Sequence, residues 1–89
     1  MALVTFTENL QRHFAARPAE VPGATVRQAL ESVFEAHPQA RSYVLDDQGR
    51  LRKHVVIFVD GRLIGDRQRQ SDEIAADSEL LIMQALSGG

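Results

Sequence analysis

The 89-residue chain contains no cysteine. That absence excludes disulfides, thiolate metal sites and a cysteine nucleophile, and it fits a reducing compartment; any thiol chemistry has to come from outside. No apolar run is long enough to span a membrane, and Met1-Ala2-Leu3-Val4-Thr5-Phe6 has neither the basic region, the apolar stretch nor the cleavage site of a secretory signal. The expected location is the cytoplasm, with no membrane partner. Excess positive charge is missing too: 10 Lys and Arg stand against 12 Asp and Glu, and the net charge of −2 argues against nucleic-acid binding driven by bulk charge. There is no phosphate loop, nucleophile elbow or zinc motif. His13, His37 and His54 lack metal-ligand spacing, so no metal is expected. Asp46-Asp47 and Asp72-Glu73 are adjacent carboxylates in turn-like surroundings, better explained by turn chemistry than by acid–base catalysis.

What is present suits one compact domain. With 44% apolar and 25% charged residues, the chain can form one core and not two. A domain this small rarely builds a deep substrate pocket, which favours a carrier or binding role over a self-sufficient enzyme.

Along the chain, Val4 and Phe6 alternate with Thr5 and Thr7, the period of a half-buried strand. Leu10 and Phe14 have helix-like spacing, but Pro18 and Pro22-Gly23 interrupt, so turns and a short strand at 19–21 are expected. Thr25-Val26-Arg27-Gln28 matches a capping box, and Val26, Ala29, Leu30, Val33 and Phe34 form one apolar stripe of a helix that Pro38 stops. Residues 39–53 are polar around an Asp46-Asp47-Gln48-Gly49 turn, and read either as an ordered hairpin-like excursion or as a mobile loop. Residues 54–59 are rich in β-branched side chains, and Asp60-Gly61 supplies the positive φ angles of a type I′ turn before Arg62-Leu63-Ile64. Ile74 is a lone apolar anchor before a last strand, 79–86, with apolar residues on both faces. Two strands, a helix and three strands predict an α+β fold, a mixed sheet of four to five strands packed on one main helix.

That order, the Val59-Asp60-Gly61-Arg62-Leu63-Ile64 hairpin and the ending Met83-Gln84-Ala85-Leu86-Ser87-Gly88-Gly89 resemble the MoaD/ThiS group of sulfur carriers across essentially the whole chain. The resemblance implies a β-grasp, or ubiquitin-like, domain over 1–84 and a flexible tail over 85–89. It departs from the group at Asp77-Ser78-Glu79, where relatives commonly carry a Gly-Asp turn, and in lacking the proline that relatives often have near Gln84.

Two given positions both hold glycine in about one chain in 200, so Gly88-Gly89 is weak by composition and gains weight only from its place. Lacking Cβ atoms, a Gly-Gly end can thread a narrow channel in extended form. A carboxylate with a reference pKa of about 3.5 is ionised near neutrality and is a poor electrophile. The resemblance implies that a partner supplies what is missing. An ATP-dependent activating enzyme adenylates Gly89, a sulfur donor displaces AMP, and the resulting thiocarboxylate goes to a sulfur-accepting biosynthetic enzyme. In this scheme Gly88 gives clearance, Leu86 and Ser87 form the stalk, and the chain binds no cofactor of its own. Molybdopterin synthesis leads among the implied pathways, ahead of thiamine, cysteine and RNA thiolation.

If Leu80 and Ile82 face the core, Leu81 and Met83 emerge on the other face of the sheet with Val56 and Phe58, forming an apolar docking patch beside the tail. Packing under 39–53 or a homodimer contact are the alternatives for these four. Arg50, Arg52, Lys53, Arg62, Arg67 and Arg69 make the middle of the chain locally basic, which reads as a solvated face ahead of a docking one. Two other functions remain open: a ubiquitin-like modifier joined to lysines, and an interaction domain with inert glycines.

Overall fold

The computed structural model describes residues 1–7 and 18–84. The expected turns at 8–17, with Leu10 and Phe14, and the tail at 85–89 lie outside the described residues. Five strands are formed, β1 (Ala2–Phe6), β2 (Ala19–Val21), β3 (Val55–Val59), β4 (Arg62–Leu63) and β5 (Glu79–Gln84), together with helices α1 (Val26–Ala36) and α2 (Pro38–Val44).

The strands make one mixed sheet in the order β2-β1-β5-β3-β4. β1 and β5 run parallel, with Val4 opposite Leu80 and Phe6 opposite Ile82; every other pairing is antiparallel. Val4, Phe6, Leu80, Ile82, Val55 and Ile57 are buried on one face, against Ala29, Leu30, Val33 and Phe34 of α1. The last strand is therefore central, with the first beside it, and the domain is a β-grasp. Ile74 packs against this core as the expected anchor. Asp60 and Gly61 take φ of 50° and 84°, the left-handed geometry that a two-residue hairpin between β3 and β4 requires. Among the described residues, no helix is long and apolar enough to cross a membrane.

A helix begins with N–H groups that have no partner within it. In α1 each finds one. Val26 donates to the carbonyl of Asp72 at 2.9 Å, Arg27 to that of Gln70 at 2.8 Å, and Gln28 to Thr25 Oγ1 at 3.2 Å. Gln28 Oε1 completes the cap by accepting from Ala24 N–H at 2.7 Å. The loop 65–73 is thus bound to the start of the helix. Gln70, fully buried with φ of 52°, accepts through Oε1 from Arg27 Nη1 at 3.0 Å and donates to the Arg67 carbonyl at 2.7 Å. Asp72 secures the same loop by accepting from the N–H groups of Gly65 and Asp66, each at 2.9 Å.

Residues 39–53 combine the expected hairpin-like excursion, at 45–51, with a helix that was not expected. Pro38 ends α1 and also starts α2, whose Ala40 and Val44 are buried. Proline at the first helical position has no N–H to leave unpaired and its φ already suits the helix, so one residue serves both purposes. Arg41 ties the two helices together: its guanidinium lies 4.9 Å from the Phe34 ring centre and 2.7 Å from the Glu31 carboxylate. His37 belongs to both helices through its backbone, donating to Val33 and accepting from Ala40. Beyond α2 the expected turn is present. Asp46 Oδ1 accepts from Gln48 and Arg50 N–H at 2.9 Å each, Gly49 has φ of 79°, and Leu45 bridges Leu51.

Asp66 is held below the ordinary aspartate value near 3.8 by hydrogen bonds from the Ser71 hydroxyl and then the Arg69 N–H, which outweigh desolvation. Because the folded carboxyl is the stronger acid, its stabilisation is complete above the ordinary value and is lost as pH falls below it and through the lower value of the folded state. The expected outcome for Asp66→Asn is a lower melting temperature at pH 7 and a weaker loss of stability below pH ~4 than wild type. Parallel thermal melts from pH 7 to 2.5 with unchanged acid dependence would rule out this role.

Candidate functional site

The period of two along β3 and β5 that buries Leu80, Ile82, Val55 and Ile57 turns their neighbours outward. Register then decides which neighbours meet: Val56 lies opposite Met83, and Phe58 opposite Leu81. The four expected docking residues are two adjacent cross-strand pairs on one face of the sheet. Val56, Phe58 and Met83 are half-buried and Leu81 is 36% exposed. They do not pack under residues 39–53, since α2 and its following turn add Ala40, Val44, Leu45 and Leu51 to the opposite, buried face.

The patch extends further than expected. Leu63 of β4 pairs with Phe58 and is 57% exposed, and Thr5 of β1 pairs with Leu81. Leu63 was legible as an alternation partner of buried Ile64, but only the β3–β4 register shows that it joins Phe58. A shallow depression lined by Phe58, Asp60, Gly61, Glu79, Leu81 and Met83 runs along this face.

β5 leads towards the tail. Its last described residue, Gln84, pairs with Val55, so the described part of β5 ends beside the start of β3. A second pocket here is formed by Ser42, Tyr43, Arg52, His54, Val55 and Gln84. Arg67 stiffens the turn before β3 by donating to the carbonyls of Arg52 at 2.7 Å and Val55 at 2.8 Å. Leu86, Ser87, Gly88 and Gly89 lie outside the described residues.

The local basic character resolves into separate jobs. Arg67 holds carbonyls, Arg50 pairs with Asp46 at 3.4 Å, and Arg52 Nε donates to the Ser42 carbonyl. Lys53 and Arg62 are exposed at opposite ends of β3. Asp46 and Asp72 each cap backbone N–H groups, as turn chemistry requires. At the departure from the group pattern, Ser78 is buried, its Oγ accepts from Ala75 N–H at 2.9 Å, and Asp60 Oδ1 accepts from Glu79 N–H at 2.9 Å. These bonds order the entry to β5 without the glycine turn. Among the described residues, no cluster of His, Asp or Glu is arranged to hold a metal.

The sequence profile of the ThiS family matches residues 12–89. Among solved structures, the chain is similar to SAMP1 from Haloferax volcanii, with 28% identity, 99% of this chain and 98% of that chain covered, and a TM-score of 0.80. It also resembles a chain of the Amycolatopsis orientalis BexX/CysO complex, at 20% identity, 100% coverage of both chains and a TM-score of 0.84. CysO from Mycobacterium tuberculosis matches at 17% identity, covering 97% of this chain and 100% of that one, with a TM-score of 0.82. The last two likenesses concern the fold. No curated protein sequence matches significantly.

The assignment of faces on β5 has a direct consequence. Leu80→Ala empties core volume and is expected to cost about 2–5 kcal/mol, whereas Leu81→Ser on the outer face costs less than about 1 kcal/mol. Urea titrations of the two variants measure this; equal losses would mean that the register is wrong.

Proposed function

The chain belongs to the ThiS family, and on that premise we propose that it is a sulfur carrier whose terminal Gly89 is activated and thiolated by partner enzymes. A carboxylate oxygen of Gly89 attacks the α-phosphate of ATP in the activating enzyme, and pyrophosphate leaves. A sulfur nucleophile then attacks the carbonyl carbon of the mixed anhydride and AMP departs: hydrosulfide gives the terminal thiocarboxylate directly, whereas a persulfide gives an acyl disulfide whose S–S bond a second thiol breaks, the donor leaving as its disulfide with that thiol. The second partner receives that sulfur. Gly88 presents no side chain to the channel, while Leu86 and Ser87 set its distance from the domain.

The observation that supports this reading is the apolar outer face, formed by Leu81 and Met83 on β5, the strand that leads towards the Gly-Gly tail, with Val56 and Phe58 on β3 paired beside it. A partner that grips this face holds the tail at a set distance from its own catalytic groups. Methionine adapts to more than one surface and phenylalanine supplies area, which suits a domain visiting an activating enzyme and then an acceptor. For the pathway served, the tail resemblance supports molybdopterin synthesis first, then thiamine, cysteine or RNA thiolation. The cysteine-free composition supports the cytoplasm as the setting.

Similarity to SAMP1, a small archaeal modifier protein, favours a second reading in which the activated glycine is joined to lysines of other proteins. One experiment separates the two. The chain is incubated with its activating enzyme, ATP and a sulfur source, and intact mass is measured. Replacement of one oxygen by sulfur is expected; adducts on other proteins would instead support the modifier, and an unchanged mass would sink both.

Deleting Gly89 is expected to abolish sulfur loading while leaving the melting temperature unchanged, because the buried core described above ends at Ile82. Sulfur gain by the truncated chain, read by the same mass measurement, would remove Gly89 from the mechanism.

A further inference from the structure

Resting on the reading of the chain as a carrier activated at Gly89, we infer that Lys53 is the chain's own acceptor for that glycine. When no sulfur nucleophile intervenes, its amine closes the chain into a ring through an isopeptide bond. Lys53 is the only lysine in the sequence. It is exposed, and it has no ion-pair partner among the described residues. It sits in a turn that is pinned on both sides. Val55 N–H donates to the Arg52 carbonyl at 3.0 Å, and Arg67 donates to the carbonyls of Arg52 and Val55 at 2.7 and 2.8 Å.

The sheet sets this turn beside the root of the tail. Val55 pairs with Gln84. Two residues of backbone separate Lys53 from Val55, and paired Cα atoms lie about 5 Å apart, so the Lys53 Cα is within about 13 Å of the Gln84 Cα. Gly89 follows Gln84 by five residues, which can span up to about 17 Å. The tail therefore has length enough to bring its carbonyl to Lys53 with every described strand in place. The same sheet keeps Met1 away. β1 runs parallel to β5 with Leu3 opposite Glu79, which sets Met1 seven strand steps behind Gln84, about 23 Å at ~3.3 Å per residue. That exceeds the span of the tail, so an amine at Met1 is out of reach. Strand direction, and not exposure, selects Lys53.

The step needs nothing beyond the activation already described. The Lys53 Nζ lone pair adds to the Gly89 carbonyl carbon of the acyl adenylate, the bond from that carbon to the AMP oxygen breaks, and AMP leaves with the electron pair. The surplus proton on nitrogen passes to water. No electron is transferred, and the chain loses one water relative to its free form. Joining two groups by a short stretch of chain that spans the gap gives an effective concentration on the order of mM. Lys53 thus competes with water and with lysines of other molecules, and a sulfur nucleophile held beside Gly89 by a partner outcompetes it.

The geometry is tested on the chain made with Gly89 as a thioester through an intein fusion, in wild-type form and as Lys53→Arg, the two matched by thermal melting. Intact mass follows the loss of the thioester. Wild type is expected to give a monomer one water lighter than the hydrolysed chain, with Lys53 joined to Gly89 in the peptide map and a rate independent of protein concentration. Lys53→Arg, which keeps the charge, is expected to form this species at least ~10-fold more slowly, and added free lysine should match the wild-type rate only in the mM range. With the activating enzyme and ATP but no sulfur source, the same ring is expected from wild type, and a sulfur source should suppress it. Hydrolysis of the wild-type thioester without a ring, a ring that survives Lys53→Arg, or bonds formed only between chains each overturns the inference and leaves the carrier reading standing. So does ATP–pyrophosphate exchange with wild type that yields no ring in the absence of sulfur. No exchange overturns the carrier reading and this inference together.

Discussion

A parallel pair of strands cannot be closed by a hairpin, so pairing β1 with β5 obliges the intervening chain to cross the sheet before returning. Much of the domain follows from that constraint. The crossover places α1 on one face only, which makes Val4, Phe6, Leu80 and Ile82 its floor and leaves Thr5, Leu81 and Met83 on the far side. It also puts the last strand at the centre of the sheet, flanked by β1 and β3. β5 is held by hydrogen bonds on both sides as far as Ile82, and Met83 and Gln84, the approach to the tail, are paired with β3.

The loop 65–73 serves the same arrangement from the other direction. Its carbonyls at Gln70 and Asp72 take the free N–H groups of α1, its Gln70 amide meets Arg27, and its Arg67 reaches the turn before β3. One polar segment thus ties the start of the helix to the root of the tail. Gln70 is buried at no evident cost, since its amide atoms and backbone N–H and carbonyl all have partners. The outer face is free of these ties. Its apolar cross-strand pairs, Val56 with Met83 and Phe58 with Leu81, lie outside the buried core.

Where the sequence was legible, one short-range rule decided the outcome. The α1 stripe is a period of 3.6 bounded by a threonine cap, and both the cap and the buried set appear as read. Asp60-Gly61 needed only its positive φ angles. Reading failed where one residue had two jobs. Pro38 signals a stop, and α2, with only Ala40 and Val44 buried and Arg41 held by Phe34 and Glu31, has too narrow an apolar stripe to announce itself. Leu63 was passed over for a different reason: its alternation with Ile64 was legible, but its place opposite Phe58 depends on the β3–β4 register.

The amino-acid sequence by itself determined the element order, the apolar helix face, the two-faced character of β3 and β5, and the glycine pair at the end of the chain. These depend on residue type and spacing along the chain. Only the tertiary structure decided which residues share the outer face, that Leu63 joins Phe58, and that Glu20 and Glu79 flank Leu3 where β5 begins. Register between strands distant in sequence is set by the simultaneous fit of the helix, the sheet and the loop 65–73, and a one-residue slip would exchange the faces of a strand.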